Sequence, residues 1–160
     1  MATRRQATLY LSGPEADAIE HIRARYNPAQ HALIRAHVTL CREDEVPDWP
    51  ELEKRLRSLD QIEVTLSFGE PVRETNLVYL PVVGPTTAFD DLRIALLARP
   101  GVPVRKHDPH MTLVHPRNGT CSDATFALIK AQVAPFAASF RSVTLIVQED
   151  DGPWQDLARA

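Results

Sequence analysis

Two copies of one tetrad, His-apolar-Thr-Leu, are the residues of this chain whose types and spacing best suit chemistry. They are His37-Val38-Thr39-Leu40 and His110-Met111-Thr112-Leu113. Side chains alternate along a β-strand, so His and Thr share one face while the two apolar residues pack behind them. Two such pairs facing each other provide an acid, a base and two hydroxyl donors. That set of groups suits a phosphoester.

Three cations near the tetrads are candidates for binding phosphate. Arg35 stands two residues before His37 and shares its face, provided that the strand extends that far. Arg105 and Lys106 precede the second tetrad in a corresponding place. Ordinary surface cations remain the alternative for all three. We expect Arg4 and Arg5, at the start of the chain, to do no more than raise the local potential.

Four aromatic residues are candidates for stacking on a nucleobase, because any base can stack on an aromatic ring. They are Tyr10, Tyr26, Phe68 and Trp154. Packing in the core is the alternative for each of them.

Two further histidines, His107 and His115, flank the second tetrad. Strict alternation from His110 puts His115 on the opposite face of the strand, so we predict a structural or solvated role for it. A zinc site would be the alternative, but no familiar zinc spacing matches the set His107, His110, His115 and Cys121. We therefore expect no metal and no other cofactor.

Hydrophobic periodicity sets the tetrads into a plan that occurs twice. The first half predicts a strand at 8–11, a helix at 15–26, a linker, a strand at 36–41, a helix at 49–59 and a strand at 62–68. The second half predicts a strand at 76–83, a helix at 88–98, a linker, a strand from His110, a helix at 123–133 and a strand at 142–148. The Gly-Pro pairs at 13 and 84 lie 71 residues apart, and the tetrad histidines lie 73 apart.

The repeated order predicts two β-α-β-α-β lobes related by an approximate two-fold, lobe 1 at about 7–70 and lobe 2 at about 76–150. A two-fold would bring the tetrads together at the lobe interface, where ligand sites commonly form. A chance likeness between two short α/β units is the alternative. The length of 160 residues fits a single domain over 1–160.

Charge and cysteine usage limit the class of protein. A formal charge of −3 argues against coating long nucleic acid or an anionic membrane without specificity, yet allows a local basic patch. No signal peptide or run of 18 apolar residues is present, so we expect a cytoplasmic protein. Cys41 and Cys121 form no metal motif, and we expect both as reduced thiols.

With both tetrads and their spacing in hand, the sequence resembles the 2H phosphoesterase superfamily, in the branch of 2′-5′ RNA ligase-like proteins and RNA 2′,3′-cyclic phosphodiesterases. That superfamily is named for two His-x-Thr/Ser-x motifs, here His37-Val38-Thr39-Leu40 and His110-Met111-Thr112-Leu113. The resemblance covers about residues 7 to 148. It implies an α+β fold, bilobal, with antiparallel sheets lining a central groove, and phosphodiester chemistry that needs no metal.

The resemblance also implies roles for the tetrad residues. His37 would donate a proton to the leaving ribose oxygen, and His110 would act as base on the attacking water. Thr39 and Thr112 would stabilise charge on the transition state. The residues alone do not order the two histidines, because a near-symmetric site offers no distinction between them.

We expect a monomer that hydrolyses the 2′,3′-cyclic phosphate of an RNA end or a nucleotide and does not bind membranes. The first alternative is the reverse reaction, in which an RNA ligase forms 2′-5′ linkages. The second is a binding module that holds RNA ends or nucleotides without turnover. Intact His and Thr in both tetrads argue against that module, which has no use for a matched acid and base.

Overall fold

The computed structural model describes residues 2–160, which form nine strands, five α-helices and one short 3-10 helix. The strands are β1 (Thr3–Tyr10), β2 (His37–Cys41), β3 (Val64–Phe68), β4 (Val72–Glu74), β5 (Leu77–Val83), β6 (His110–Val114), β7 (Phe136–Phe140), β8 (Thr144–Glu149) and β9 (Trp154–Arg159). The α-helices are α1 (Pro14–Tyr26), α2 (Pro28–Leu33), α3 (Trp49–Arg57), α4 (Thr87–Leu97) and α5 (Asp123–Gln132).

All strand pairs are antiparallel, and the strand order is β7-β3-β5-β6-β2-β1-β8-β9, with β4 paired to β5. The two tetrad strands, β2 and β6, are neighbours at the centre of this order. One group of strands, β1, β2, β8 and β9, lies on one side of that junction, and the others lie beyond β6. The predicted α+β fold with two lobes of antiparallel sheet is confirmed.

Each half of the sequence contributes one strand of the repeated plan, the last one predicted for that half, to the lobe of the other half. β3 pairs with β5 and β7 from the second half, and β8 pairs with β1 from the first half. The lobes are therefore interleaved along the chain, which differs from the expected boundaries at 7–70 and 76–150. Periodicity indicates that a segment is a strand, but it carries no information about which distant strand it pairs with.

Strand register follows an approximate two-fold. In one lobe Tyr10 lies opposite His37 across β1 and β2, and in the other Pro81 lies opposite His110 across β5 and β6. Each pair of strands then has a register shift a few residues further on, between Ala7 and Thr8 in one lobe and between Val78 and Tyr79 in the other. The two halves thus share strand register as well as element order.

The apolar residues of both tetrads are in the core, as their alternation predicts. Val38, Leu40 and Met111 have no exposed surface, and Leu113 has 1%. Burying a side chain of this size stabilises the fold by about 1.5–3 kcal/mol. The polar residues on the other face of each strand are therefore held on a well-packed support.

Helix ends follow local chemistry. Gly13 adopts a positive φ of 96°, which favours glycine, and Pro14 then begins α1. Asp48 caps α3 by accepting a hydrogen bond from Glu51 N at 3.0 Å, and Ser122 caps α5 by accepting one from Thr125 N at 3.1 Å. The segment expected as a linker after Asn27 instead contains α2. Hydrophobic periodicity also did not predict β4, β7 and β9.

Both cysteines are buried free thiols, since Cys41 and Cys121 form no disulfide. Among residues 2–160, no helix combines the length and the apolar character that crossing a membrane requires.

Candidate active site

Val38 pairs with Met111 where β2 meets β6, and this register brings the tetrads face to face. In an antiparallel pair the positions on either side follow directly, so His37 lies opposite Thr112 and His110 lies opposite Thr39. Side chains directly opposite each other have Cβ atoms about 4.5–5.5 Å apart. Each imidazole is thus beside a hydroxyl of the other tetrad, and all four groups surround one place.

These four side chains line a groove of about 550 Å³. The groove also receives side chains from β1, from the α1–α2 region, from the turn after β2, from the turn after β6 and from β9. Its further lining residues are Arg4, Arg5, Gln6, Arg23, Gln30, Ile34, Arg42, Glu43, Asp44, His115, Arg117 and Trp154.

Both tetrad histidines are oriented in the same way. His37 Nδ1 donates to the carbonyl of Arg35 at 2.8 Å, and His110 Nδ1 donates to the carbonyl of Asp108 at 3.3 Å. A carbonyl only accepts, so Nδ1 carries the proton in each ring. Nε2 is then the nitrogen that each histidine offers to a ligand, as a base when neutral and as an acid when charged.

A tyrosine ring packs against each imidazole in a T-shaped arrangement. The centroids of Tyr10 and His37 are 6.3 Å apart at an interplanar angle of 74°, and those of Tyr79 and His110 are 5.6 Å apart at 71°. Such T-shaped contacts restrict ring rotation. Together with the Nδ1 hydrogen bonds, they hold both imidazoles in a fixed orientation.

Burial lowers the pKa of His37 to about 4, and the nearby Arg23 guanidinium and His110 ring act in the same direction. The hydrogen bond to the Arg35 carbonyl opposes this shift only in part. At neutral pH His37 is therefore uncharged, with a free electron pair on Nε2. A phosphate beside the ring would raise this pKa, because a negative charge favours the imidazolium.

An ion pair in α1 positions the start of β2. Arg23 is 2% exposed, contacts Glu20 at 2.5 Å and donates to the carbonyl of Ile34 at 2.8 Å. Glu20 in turn accepts a hydrogen bond from the backbone N–H of Ala36 at 3.2 Å. These bonds fix the segment immediately before His37.

Arg93 of α4 performs a similar task beneath the end of β2. Its guanidinium is 2% exposed and donates to the carbonyls of Leu40 and Arg105 and to both oxygens of Glu45. Although burial opposes ionisation of Glu45, the hydrogen bonds from Arg93 and from the Arg42 backbone lower the pKa of that carboxyl to about 2. This buried ion pair ties α4 to the first tetrad strand.

Register shifts bring two residues into the groove that strict alternation would turn away from it. In β6 the shift makes Leu113 and Val114 both buried, and His115 then lies on the groove side with Thr112. The predicted opposite face for His115 is thus wrong.

The corresponding shift in β2 makes Leu40 and Cys41 both buried and brings Arg42 to the groove. Arg42 and His115 stand five residues after their respective tetrad histidines. They are equivalent positions of the two halves.

Positive charge is concentrated in the groove. Five arginines line it, against the carboxylates of Glu43 and Asp44; they are Arg4, Arg5, Arg23, Arg42 and Arg117. The whole chain nevertheless has a formal charge of −3. The local basic patch that the sequence allows is therefore present, and it suits an anionic ligand.

The three predicted phosphate-binding cations lie outside this groove. Arg35 precedes the first residue of β2 and lies over the Tyr10 ring, 4.0 Å from its centroid. Arg105 contacts Asp44 at 3.2 Å, and Lys106 is exposed. Alternation along the strand does not reach these positions, because both tetrad strands begin at their histidines.

Of the aromatic candidates for base stacking, Trp154 alone lines the groove. Phe68 is 1% exposed and packs against Phe136 and Phe140 in the core, so its predicted stacking role is wrong. Tyr10 is covered by Arg35 on one face, and Tyr26 packs against Arg25.

No three His, Cys, Asp or Glu side chains within residues 2–160 lie close enough together to hold a metal ion. His107 instead packs between Phe89 and His110, with ring centroids 6.1 Å and 6.2 Å away. Burial lowers the pKa of His107 to about 4.

Comparison with known proteins gives one family match. The family model of the 2′-5′ RNA ligase superfamily matches residues 12–152, a range that includes both tetrads. No functionally curated protein sequence matches the chain.

Solved structures share the fold over nearly the full length. A crystal structure of a phosphoesterase is 19% identical with a TM-score of 0.63, covering 99% of this chain and 98% of that chain. Escherichia coli LigT in apo form is 19% identical with a TM-score of 0.64, covering 100% and 98%. The complex of that protein with 3′-AMP is 18% identical with a TM-score of 0.62, covering 99% and 96%.

Proposed function

Because this chain belongs to the 2′-5′ RNA ligase superfamily, the 2H phosphoesterases, we propose that it hydrolyses 2′,3′-cyclic phosphates of RNA ends or nucleotides without a metal ion. One observation carries the proposal. His37 and His110 each donate Nδ1 to a backbone carbonyl and present Nε2 to the same basic groove. Such a pair can supply both proton transfers that the reaction needs.

In the proposed reaction a water oxygen attacks phosphorus, and the bond from phosphorus to one ribose oxygen breaks. Nε2 of one histidine takes a proton from the water, and Nε2 of the other gives a proton to the departing oxygen. Following the family, His110 is the base and His37 is the acid. The approach of the phosphate anion raises the pKa of His37, so that His37 becomes protonated where an acid is required.

The neighbouring side chains support the charge that develops on phosphorus-bound oxygens. Thr39 and Thr112 each lie opposite the histidine of the other tetrad, which suits hydroxyl donors on either side of one phosphate. Arg42 adds a guanidinium from the same groove. Charge-assisted hydrogen bonds of this kind are roughly twice as strong as neutral ones.

Ligands of a protein with the same fold are consistent with this substrate class. Escherichia coli LigT has been solved with phosphate and with 3′-AMP. A nucleoside 3′-phosphate is one of the two products that opening a 2′,3′-cyclic phosphate can give. We therefore propose a nucleotide or an RNA terminus as the ligand of the present groove.

The test is to incubate EDTA-treated protein with the four nucleoside 2′,3′-cyclic monophosphates and with an RNA that ends in a cyclic phosphate, and to identify the products. We expect ring opening that persists in EDTA. Loss of activity on chelation, restored by zinc or magnesium, would contradict the two-histidine proposal.

Ligation is the second candidate, favoured by the family match itself. The same acid and base would keep their roles if a 5′-hydroxyl replaced water. The base takes the proton of the 5′-hydroxyl as its oxygen bonds to phosphorus, the bond from phosphorus to the 3′ oxygen breaks, and the acid protonates that oxygen, which leaves a 2′-5′ linkage. Adding an RNA with a 5′-hydroxyl to the same assay distinguishes the two, because only ligation gives a longer product. A binding module without turnover would give no product in either arm.

A further inference from the structure

One end of the groove carries cations that the proposed hydrolysis does not use. Arg4 extends from β1, and Arg117 extends from the turn after β6, so they come from opposite lobes yet line the same groove. Arg4 stands four residues before Thr8, which lies opposite Thr39. At about 3.3 Å per residue, the Arg4 backbone is roughly 13 Å along the strand from that point.

Arg4 is held in place by buried groups. Its guanidinium donates to the side chain of Gln148, which is 1% exposed and itself donates to the carbonyl of Gly152 at 2.8 Å. The same guanidinium lies over the ring of Trp154, 5.4 Å from its centroid. An arginine and an indole are thus presented together on the wall of the groove.

The turn that carries Arg117 is also fixed. Asn27 is 1% exposed, accepts a hydrogen bond from the backbone of His115 at 2.8 Å and donates to the side chain of Asn118 at 3.1 Å. The backbone N–H of Arg117 donates to His115 Nδ1 at 3.1 Å, which leaves Nε2 of that ring as a donor.

Like charges are crowded at this end of the groove. Within residues 2–160 no carboxylate lies within salt-bridge distance of Arg117. Burial and the charge of Arg117 lower the pKa of Arg4, an effect that the carboxylates of Asp151 and Glu43 oppose. Burial lowers the pKa of His115, and the charges of Arg117 and Arg4 act in the same direction. An anion between the two lobes would relieve this repulsion.

Resting on the proposed function, we infer that Arg4, Arg117 and Trp154 form a second subsite that binds the phosphate and base of the nucleotide preceding the cyclic phosphate. The two arginines donate hydrogen bonds to the bridging phosphate, one from each lobe, and the indole stacks on the preceding base. The preferred substrate is then an RNA end of at least two nucleotides. A 5′-phosphorylated mononucleotide would also place a phosphate between the two arginines, but it has no preceding base. Trp154 therefore favours the longer RNA end as the ligand, because only that ligand gives the indole a base to stack on.

The test compares three substrates: a nucleoside 2′,3′-cyclic phosphate, the same compound with a 5′-phosphate, and a dinucleotide that ends in the cyclic phosphate. In the second and third compounds the additional phosphate occupies the same 5′ oxygen. We expect kcat/KM to rise at least about tenfold from the first substrate to the dinucleotide, the usual worth of a hydrogen bond to a charged group. The Arg4→Gln/Arg117→Gln variant should lose that gain, so that its kcat/KM for the dinucleotide is about the same as its kcat/KM for the first substrate.

The matched control is Arg25→Gln/Arg57→Gln, which loses the same charge from two exposed positions outside the groove. This variant should keep the gain. Trp154→Ala should lower kcat/KM for the dinucleotide at least about fivefold, the lower end of base stacking on an aromatic ring, and Trp154→Phe should restore most of it.

Equal kcat/KM for the first substrate and the dinucleotide would overturn the subsite. A full gain from the 5′-phosphate alone, with no effect of Trp154→Ala, would overturn the part played by the base. If no cyclic phosphate is hydrolysed at all, the proposed function fails instead. The subsite is then tested by the Kd of a dinucleotide 3′-phosphate, which should be about tenfold weaker for Arg4→Gln/Arg117→Gln than for the control variant.

Discussion

Val38 and Met111 pair across the junction of the two central strands, and both side chains are fully buried. An approximate two-fold passes between them. On the opposite face, it sets His37 against Thr112 and His110 against Thr39. The chemical part of the groove is therefore determined by one buried apolar pair and by the alternation of side chains on either side of it.

The pKa of His37 leads to a prediction about pH dependence. A proton donor must be charged, so activity falls as pH rises through its pKa, which is about 4 in the free protein. Bound phosphate raises that pKa, and kcat reports the complex whereas kcat/KM reports the free enzyme. The alkaline limb should therefore lie at higher pH in the kcat profile than in the kcat/KM profile.

Both profiles are to be measured from about pH 4 to 9, for the wild type, for His37→Gln and for His110→Gln. Replacing His37 should flatten the alkaline limb, and replacing His110 should flatten the acidic limb, where a base is lost on protonation. If the limbs respond the other way round, His37 is the base and His110 is the acid.

Arg93 is predicted to be important for stability. Arg93→Met should lower the free energy of unfolding by about 3–5 kcal/mol, because the 7% exposed carboxylate of Glu45 then keeps only the longer, 3.4 Å ion pair with the exposed Arg105. Arg57→Ala breaks a surface pair with Glu53 and should cost no more than about 1 kcal/mol. Urea unfolding at neutral pH measures both changes.

The double variant Arg93→Met/Glu45→Gln provides the check on this explanation. It removes the buried carboxylate charge that Arg93 no longer balances and should recover part of the stability lost by Arg93→Met alone. A double variant that is less stable than the single one would show that Arg93 acts through its backbone contacts and not through the ion pair.

Arg42 and Arg35 make a matched pair of substitutions on either side of the first tetrad. Arg42→Ala should lower kcat/KM for a cyclic phosphate about tenfold or more, since Arg42 lines the groove. Arg35→Ala should change it little, since its guanidinium lies over Tyr10 outside the groove. Equal losses from the two variants would mean that Arg42 contributes only long-range charge.

The tetrads, their apolar backing and most of the elements could be predicted from the sequence, because alternation and helical periodicity are local properties. The strand face on which Arg42 and His115 lie could not be predicted in this way. A register shift reverses the alternation of side chains, and no residue type in this chain indicates where such a shift occurs. A His-x-Thr-x-x-Arg pattern, with two buried apolar residues after Thr39, is the one signal that could have drawn attention to Arg42.

Non-local features account for the remaining differences. Arg4 lies far from both tetrads in sequence, and the pairing of β1 with β2 and β8 brings it to the groove. Arg117 follows the second tetrad by only four residues, but it lies in the turn after β6, whose direction periodicity does not indicate. The exchange of β3 and β8 between lobes is equally invisible to periodicity. Phe68 belongs to an alternating strand whose apolar face is core, and that pattern already favoured burial over stacking.

The central claim is that His37 and His110 act together as acid and base, and turnover by alanine variants tests it most directly. His37→Ala and His110→Ala should each lower kcat for a 2′,3′-cyclic phosphate by at least about a hundredfold. The double variant should be little worse than either single one, because residues that act as a unit are not additive. If either single variant keeps near-normal kcat, the two-histidine mechanism is contradicted.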